Sequence, residues 1–343
     1  MRVFVAGGTG TLGRPTVRLL VASGHEVRAL ARDAERAAQV RHLGAELVVA
    51  DLFDEAAMRQ AVAGSEAVLH LATRIPPIAR MRRRGAWRDN DRLRTQGAAV
   101  LVNAALAGGA RVYVQESITF LYADQADRWI DETAPIDAPW PLASARDAER
   151  QTARFSAAGG AGIVLRFALF YAPYAPSTRD SIRLARWRLF PILGDARRHV
   201  SAIHVDDAAA AVTAALAIPA GVYNVGDDEP LPQREHVLAL TRAFGYPTPL
   251  TLPTGVARAI LGAGAPALLR TSWDGSRREA RRLPNAPRAG RETHRARCHH
   301  HPPAASASGG TRPQTPPMEH RSITSPWLGS PKIATSVSGS ARR

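Results

Sequence analysis

Cysteine is nearly absent. Cys298 is the only one in 343 residues, so no disulfide can form within the chain, which suits a reducing compartment. Lysine is as scarce, with Lys332 alone. No run of about 18 apolar residues occurs, which predicts no transmembrane helix and no membrane partner. Behind Met1-Arg2 there is no long apolar stretch with a small-residue cleavage site, so the chain is read as cytoplasmic. Acidic residues are outnumbered, 30 against 45 basic ones, for a net charge of +15. Residues 271–343 hold 13 Lys and Arg against 4 Asp and Glu, a net of +9, leaving 32 against 26, a net of +6, for the rest. The excess therefore belongs mostly to an arginine-rich tail, and no nucleic-acid partner is expected.

What is present is an alternation of strand and helix patterns. Short apolar runs stand at Arg2 to Ala6, Val27 to Ala31, Ala45 to Ala50, Ala67 to Ala72, Arg111 to Val114 and Gly162 to Phe167. Helical spacing separates them, as in Arg14 to Ala22 with Val17, Leu20 and Val21 on one face, and in Arg94 to Ala107. This predicts an α/β fold, a Rossmann-type doubly wound parallel sheet, with residues 1–170 as its main body and later segments returning to the sheet. Residues 171–270 break into short apolar pieces and proline-rich turns, read as a smaller substrate-binding lobe with helices at Val205 to Leu216 and Arg234 to Phe244. Residues 271–343 lose all periodicity and are read as a disordered basic tail. A shifted reading frame would also produce such a tail, and resequencing the locus tests that. The run His299-His300-His301 beside Cys298 has no second ligand cluster, so no metal site is expected.

The sharpest signal is Gly7-Gly8-Thr9-Gly10-Thr11-Leu12-Gly13, between a strand and a helix. Glycine lets backbone turn tightly and approach a pyrophosphate, and the helix behind it offers free N–H groups and a positive dipole end. Gly7, Gly10, Thr11, Leu12 and Gly13 are therefore candidate cofactor residues. The second strand ends Ala31-Arg32-Asp33. An acid at the Ala31 position would favour NAD, whereas Arg32 suits a 2′-phosphate, so NADP is expected over NAD. Asp51 and Leu52 follow the third strand, and Leu71, Ala72 and Thr73 end the fourth, where an adenine edge and a nicotinamide would lie.

With these residues the chain resembles the extended short-chain dehydrogenase/reductase family, the NAD-dependent epimerase/dehydratase group, over about residues 1–250. The glycine turn, Asp51-Leu52, His70-Leu71-Ala72, Leu165-Arg166-Phe167 with Tyr171-Ala172-Pro173, Ile203-His204-Val205-Asp206-Asp207-Ala208-Ala209 and Gly221-Val222-Tyr223-Asn224-Val225 carry it. The resemblance implies hydride chemistry on a small alcohol, ketone or nucleotide sugar. It also implies a Tyr acid/base with a Lys four residues on, and a Ser or Thr on the same substrate oxygen. Anchored on Ser144 and Glu149, the family Tyr falls on Pro141 and the Lys on Ala145. The Ser/Thr place falls on Ile118, flanked by Ser117 and Thr119, which are the candidate catalytic hydroxyls. Tyr122 is read as packing and His204 as orienting the loop before the Val205 helix. The insert Arg80-Met81-Arg82-Arg83-Arg84-Gly85-Ala86-Trp87-Arg88 carries five arginines after the fourth strand, suited either to an anionic substrate or to solvent. The expectation is an NAD(P)-binding oxidoreductase with a divergent active site, acting on a small molecule and compatible with a homodimer. The alternative is a non-catalytic NADP(H)-binding sensor or binding module.

Overall fold

A computed structural model of the chain describes residues 1–270 apart from 127, 263, 264 and 266–268. The tail expected at 271–343, the Cys298–His301 cluster and Lys332 lie outside the described residues.

The strands of the main sheet begin with β1 (Arg2–Ala6), β2 (Glu26–Ala31), β3 (Glu46–Val49), β4 (Ala67–His70), β5 (Val112–Ile118) and β6 (Ala161–Phe167). Short strands follow: β7 (Leu169–Tyr171), β8 (Ile192–Leu193), β9 (His199–Val200) and β10 (Ala202–His204). Then comes β11 (Gly221–Val225), which returns to the main sheet, and β12 (Leu231–Pro232) and β13 (Thr251–Leu252). The order in the seven-stranded sheet is β11-β6-β5-β4-β1-β2-β3, all pairs parallel. The chain winds from β1 outward through β2 and β3, then crosses back to β4 on the other side of β1. Ligands in such sheets sit at that reversal, outside the carboxyl ends of the strands.

The helices are α1 (Gly13–Ala22), α2 (Ala34–Arg41), α3 (Glu55–Val62), α4 (Arg88–Arg92), α5 (Ala98–Ala107), α6 (Ala143–Ala157), α7 (Pro176–Arg186), α8 (Val205–Ala214), α9 (Gln233–Ala243) and α10 (Thr254–Leu261). They cover both faces of the sheet. Period-two alternation divides β1 between the two layers. Val3 and Val5 pack with Val17 and Leu20 of α1 and Ala208, Ala209 and Val212 of α8. Phe4 and Ala6 pack with Met58 and Val62 of α3, Leu101 and Ala105 of α5 and Phe155 of α6. Asp54 starts α3 by accepting from the N–H groups of Ala56 (2.9 Å) and Ala57 (3.0 Å), a cap worth about 1 kcal/mol.

The helix read as Arg94 to Ala107 is longer and less regular. It runs from α4 through a π-helical turn at Leu93–Gly97 into α5. A Cβ on Gly97 would stand 3.1 Å from Leu52 Cδ2, so glycine lets this helix press on the bend that follows β3. β5 also runs further than its apolar pattern, through Gln115, Glu116 and Ser117 to Ile118. No helix of the described residues is long and apolar enough to cross a membrane. Among the described residues no group of three or more His, Cys, Asp or Glu could hold a metal ion.

Candidate active site

The glycine turn joins the end of β1 to α1. Gly7 has φ +91°, a left-handed conformation that only glycine adopts freely, and a Cβ there would meet Ala72 N at 2.5 Å. A Cβ on Gly13 would lie 2.0 Å from Gly7 O. Gly10 N donates to Gly7 O at 2.9 Å, closing the turn. Gly10 is exposed, and a Cβ there would have only Gly7 O within reach, at 3.1 Å. Two glycines therefore let the protein pack on itself, and the third keeps the outer face of the turn bare. No side chain caps α1 and no acid stands in its first turn. A helix start left this way attracts an anion.

The other candidate cofactor residues cluster at the same edge. Leu71 N donates to Ala6 O at 2.9 Å, so Leu71, Ala72 and Thr73 continue β4 alongside the turn. Arg32 follows Ala31, which pairs with Val49 near the end of β3. Asp51 Oδ1 accepts from Phe53 N at 3.0 Å, which fixes the bend after β3, and the Arg92 guanidinium lies 3.7 Å from the Phe53 ring centroid. Leu52 is buried behind that bend.

Between β5, β6, β11 and α6 lies a buried polar network that sequence reading does not anticipate. Ser117 Oγ donates to Glu149 Oε1 at 2.8 Å, and Arg166 donates to both Glu149 oxygens at 2.8 Å each. Arg146 Nη1 adds a bond to Oε2 at 2.9 Å. Arg166 Nη1 also donates to Tyr122 Oη at 2.8 Å, and that hydroxyl donates to Asn224 Oδ1 at 2.7 Å. Glu132 accepts from Asn224 N at 2.7 Å. Burial disfavours the Glu149 carboxylate, but Arg166, Ser117 and Arg146 outweigh it and hold its pKa below the usual carboxylate range. Burial pushes the Tyr122 phenol up to about 12, against the pull of Arg166. The phenol is thus held from both sides, by Arg166 and by Asn224.

The sequence model of the NAD dependent epimerase/dehydratase family matches residues 3–226. The chain belongs to that family. It is 39% identical over 272 residues to a 3-diazoavenalumate denitrifying reductase from a Streptomyces species, covering 76% of this chain and 88% of that protein. It is 29% identical to a 2-alkyl-3-oxoalkanoate reductase of Stenotrophomonas maltophilia, covering 72% of this chain and 77% of that one. Among solved structures, the dTDP-glucose 4,6-dehydratase DesIV of Streptomyces venezuelae, with NAD and TYD bound, superposes with a TM-score of 0.70 at 22% identity. That match covers 87% of this chain and 96% of DesIV.

The epimerase/dehydratase resemblance directs attention to three positions, Ile118, Pro141 and Ala145. Ala145 is fully buried in an apolar cluster with Leu121 and Leu142, and Ile118 packs against that same cluster. Pro141 is buried beside Leu142. Where the family's hydroxyl, phenol and amine are expected, this member thus has an apolar patch. The two candidate hydroxyls differ in state. Ser117 is committed to Glu149. Thr119 is 2% exposed, and its Oγ1 has no hydrogen-bond partner among the described residues. His204 Nδ1 accepts from Asp206 N at 3.2 Å and caps α8, in agreement with its sequence reading.

A second buried group lies behind β4. His70 Nδ1 is 2.9 Å from Gln115 Oε1, which also accepts from Tyr113 Oη at 3.3 Å. Arg94, 1% exposed, donates from Nη2 to both oxygens of Glu116 at 3.1 Å. Burial, aided by Arg94, lowers the His70 pKa to about 4, with the Gln115 bond opposing. The unfolded chain therefore takes up a proton below about pH 6.5 that the folded protein refuses down to about 4, so stability falls with pH through that window. His70 should contribute about 2 kcal/mol to the loss between pH 7 and 5. Urea unfolding of wild type and His70→Asn at both pH values checks this, the variant showing the shallower dependence.

Proposed function

We propose that the protein is a nicotinamide-dependent reductase, preferring NADP(H), whose substrate accepts a hydride without a proton from the enzyme. The observation that supports this most is the apolar cluster of Ile118, Leu142 and Ala145 where the family's proton-handling trio is expected. A ketone reduced there would leave an alkoxide with no free phenol or amine beside that cluster among the described residues, since the Tyr122 hydroxyl is held by Arg166 and Asn224. An arenediazonium has no such need, and the Streptomyces relative is named for denitrifying a diazo compound.

The residues present fit a dinucleotide. The bare outer face of Gly10 and the uncapped start of α1 would hold the pyrophosphate. Asp51 and Leu52 would meet the adenine, Arg32 the 2′-phosphate, and Leu71, Ala72 and Thr73 the nicotinamide half. When bound, a reduced nicotinamide would supply one hydride; a diazonium ring carbon taking it would lose N2 with the C–N bonding pair, giving arene, N2 and oxidised cofactor. The apolar cluster excludes water beside the acceptor. Thr119 Oγ1, the uncommitted hydroxyl, is assigned to orient it, and Ser117 a supporting role through Glu149.

The test is turnover of an ortho-hydroxybenzenediazonium with NADPH deuterated at C4, above the uncatalysed background. Deuterium on the ring and stoichiometric N2 are expected. Cofactor binding without turnover would instead favour a sensor or binding module. Arg32→Ala is expected to weaken NADPH at least 10-fold and NADH by less than 3-fold in binding titrations, a selectivity change of about 0.7 kcal/mol or more. Equal losses would remove the NADP assignment.

A further inference from the structure

The five arginines of the 80–88 insert are exposed, and among the described residues none of Arg80, Arg82, Arg83, Arg84 and Arg88 has a carboxylate partner. Such a concentration of unpaired cations repels itself and needs a structural anchor. Trp87 provides it. Its ring is 4% exposed, and its Nε1 donates to Met81 O at 2.7 Å, fastening the short helical turn Arg84–Trp87. Trp87 meets Trp140 edge to face, ring centroids 6.4 Å apart at 75°. The Arg84 guanidinium lies 5.2 Å from the Trp140 ring centroid. Trp140 is half-buried and directly precedes Pro141. A cation held against an indole face thus stands beside the position where the family's phenol is expected.

From this geometry we infer that Arg84 and Trp140 form a recognition site for the carboxylate of an aromatic acid. The inference rests on the reading that the hydride acceptor lies beside the apolar cluster of Ile118, Leu142 and Ala145. A guanidinium lying over an indole face keeps N–H groups free on its solvent side, which can match the two oxygens of a carboxylate. The indole of Trp140 offers apolar area to a planar ring, and its T-shaped support from Trp87 holds it in place. Arg80, Arg82 and Arg83 add a positive field that raises the local concentration of anions. The insert thereby favours an anionic aromatic substrate over a neutral one, independently of what happens at the reacting carbon.

The test needs no turnover. The full-length protein is titrated with 4-hydroxycinnamate and with its methyl ester, by tryptophan fluorescence and by calorimetry. The acid is expected to bind at least 10-fold tighter than the ester, an advantage lost in Arg84→Gln and partly kept in Arg84→Lys. Trp140→Leu should weaken both ligands. Equal binding of acid and ester, an Arg84→Gln protein indistinguishable from wild type, or inorganic phosphate binding as tightly as the acid would each overturn the inference. Arg84 is exposed, so Arg84→Gln should melt as wild type does; if it does not, Arg84→Lys alone decides. Arg84-dependent preference for the acid without diazonium turnover would leave this site standing and remove the proposed reaction. Turnover of acid and ester with equal KM would do the reverse.

Discussion

Alanine at Gly13 is expected to destabilise the protein by about 3 kcal/mol or more, whereas alanine at Gly10 leaves the fold intact and weakens dinucleotide binding at least 10-fold. The difference follows from what each added methyl would meet. At Gly13 it would lie 2.0 Å from Gly7 O, with Gly8 Cα at 2.7 Å, both backbone atoms that cannot swing aside. The turn must open for α1 to stay in place, and α1 cannot move freely because Val17 and Leu20 are fully buried against the sheet. At Gly10 the methyl would meet only Gly7 O, at 3.1 Å, and would otherwise project from an exposed position. It takes up the face offered to the pyrophosphate. Denaturant unfolding and NADPH titration of the two variants separate the effects. Wild-type stability for Gly13→Ala would contradict the turn's geometry. Wild-type affinity for Gly10→Ala would contradict its use as a phosphate site.

The second large effect is expected at Glu149. Glu149→Ala strands Arg166, which is 3% exposed and has no other carboxylate partner among the described residues, and should lower stability by about 3–5 kcal/mol. Arg166→Met leaves the carboxylate to Arg146 and Ser117 and should lose less than Glu149→Ala. The double variant Glu149→Ala with Arg166→Met should lose clearly less than the sum, because neither of these two buried charges is left behind without the other. Ser117→Ala removes one hydrogen bond to an oxygen that keeps Arg166 as donor, and should lose about 1 kcal/mol. Thermal and chemical unfolding of the four proteins check the set. Simple additivity of the two charge removals would show that the pair is not coupled.

The glycine turn was legible from sequence because its requirements are local: strand, turn and helix lie within some twenty residues. The strand order followed from the same alternation. β5 was not legible beyond Val114, because Gln115, Glu116 and Ser117 look like the start of a loop. They continue the strand because each finds a distant partner: His70 for Gln115, Arg94 for Glu116, Glu149 for Ser117. Such pairings lie 22 to 45 residues apart and leave no periodic trace. Arg94, read as the first residue of an ordinary helix, sits instead in a π-helical turn and is one of the largest fully buried side chains. That Lys332 is the one lysine, and so lies nowhere near residues 141–149 in the sequence, was visible at once. That Ile118 and Ala145 share one apolar cluster was not, since only the fold brings β5 against the start of α6.

The anchoring of α6 through Glu149 has an evolutionary corollary. The helix is tied to β5 and β6 by Ser117 and Arg166, one turn beyond the positions that would carry acid/base chemistry. Tenure of the helix and employment of its first turn are therefore separate matters. Pro141 and Ala145 make no bond to that joint, so a lineage can change them and keep the anchor wherever the packed cluster around Ala145 accepts the new side chain. The same scaffold then serves as a chassis, and laboratory redesign of its chemistry can begin at those two positions.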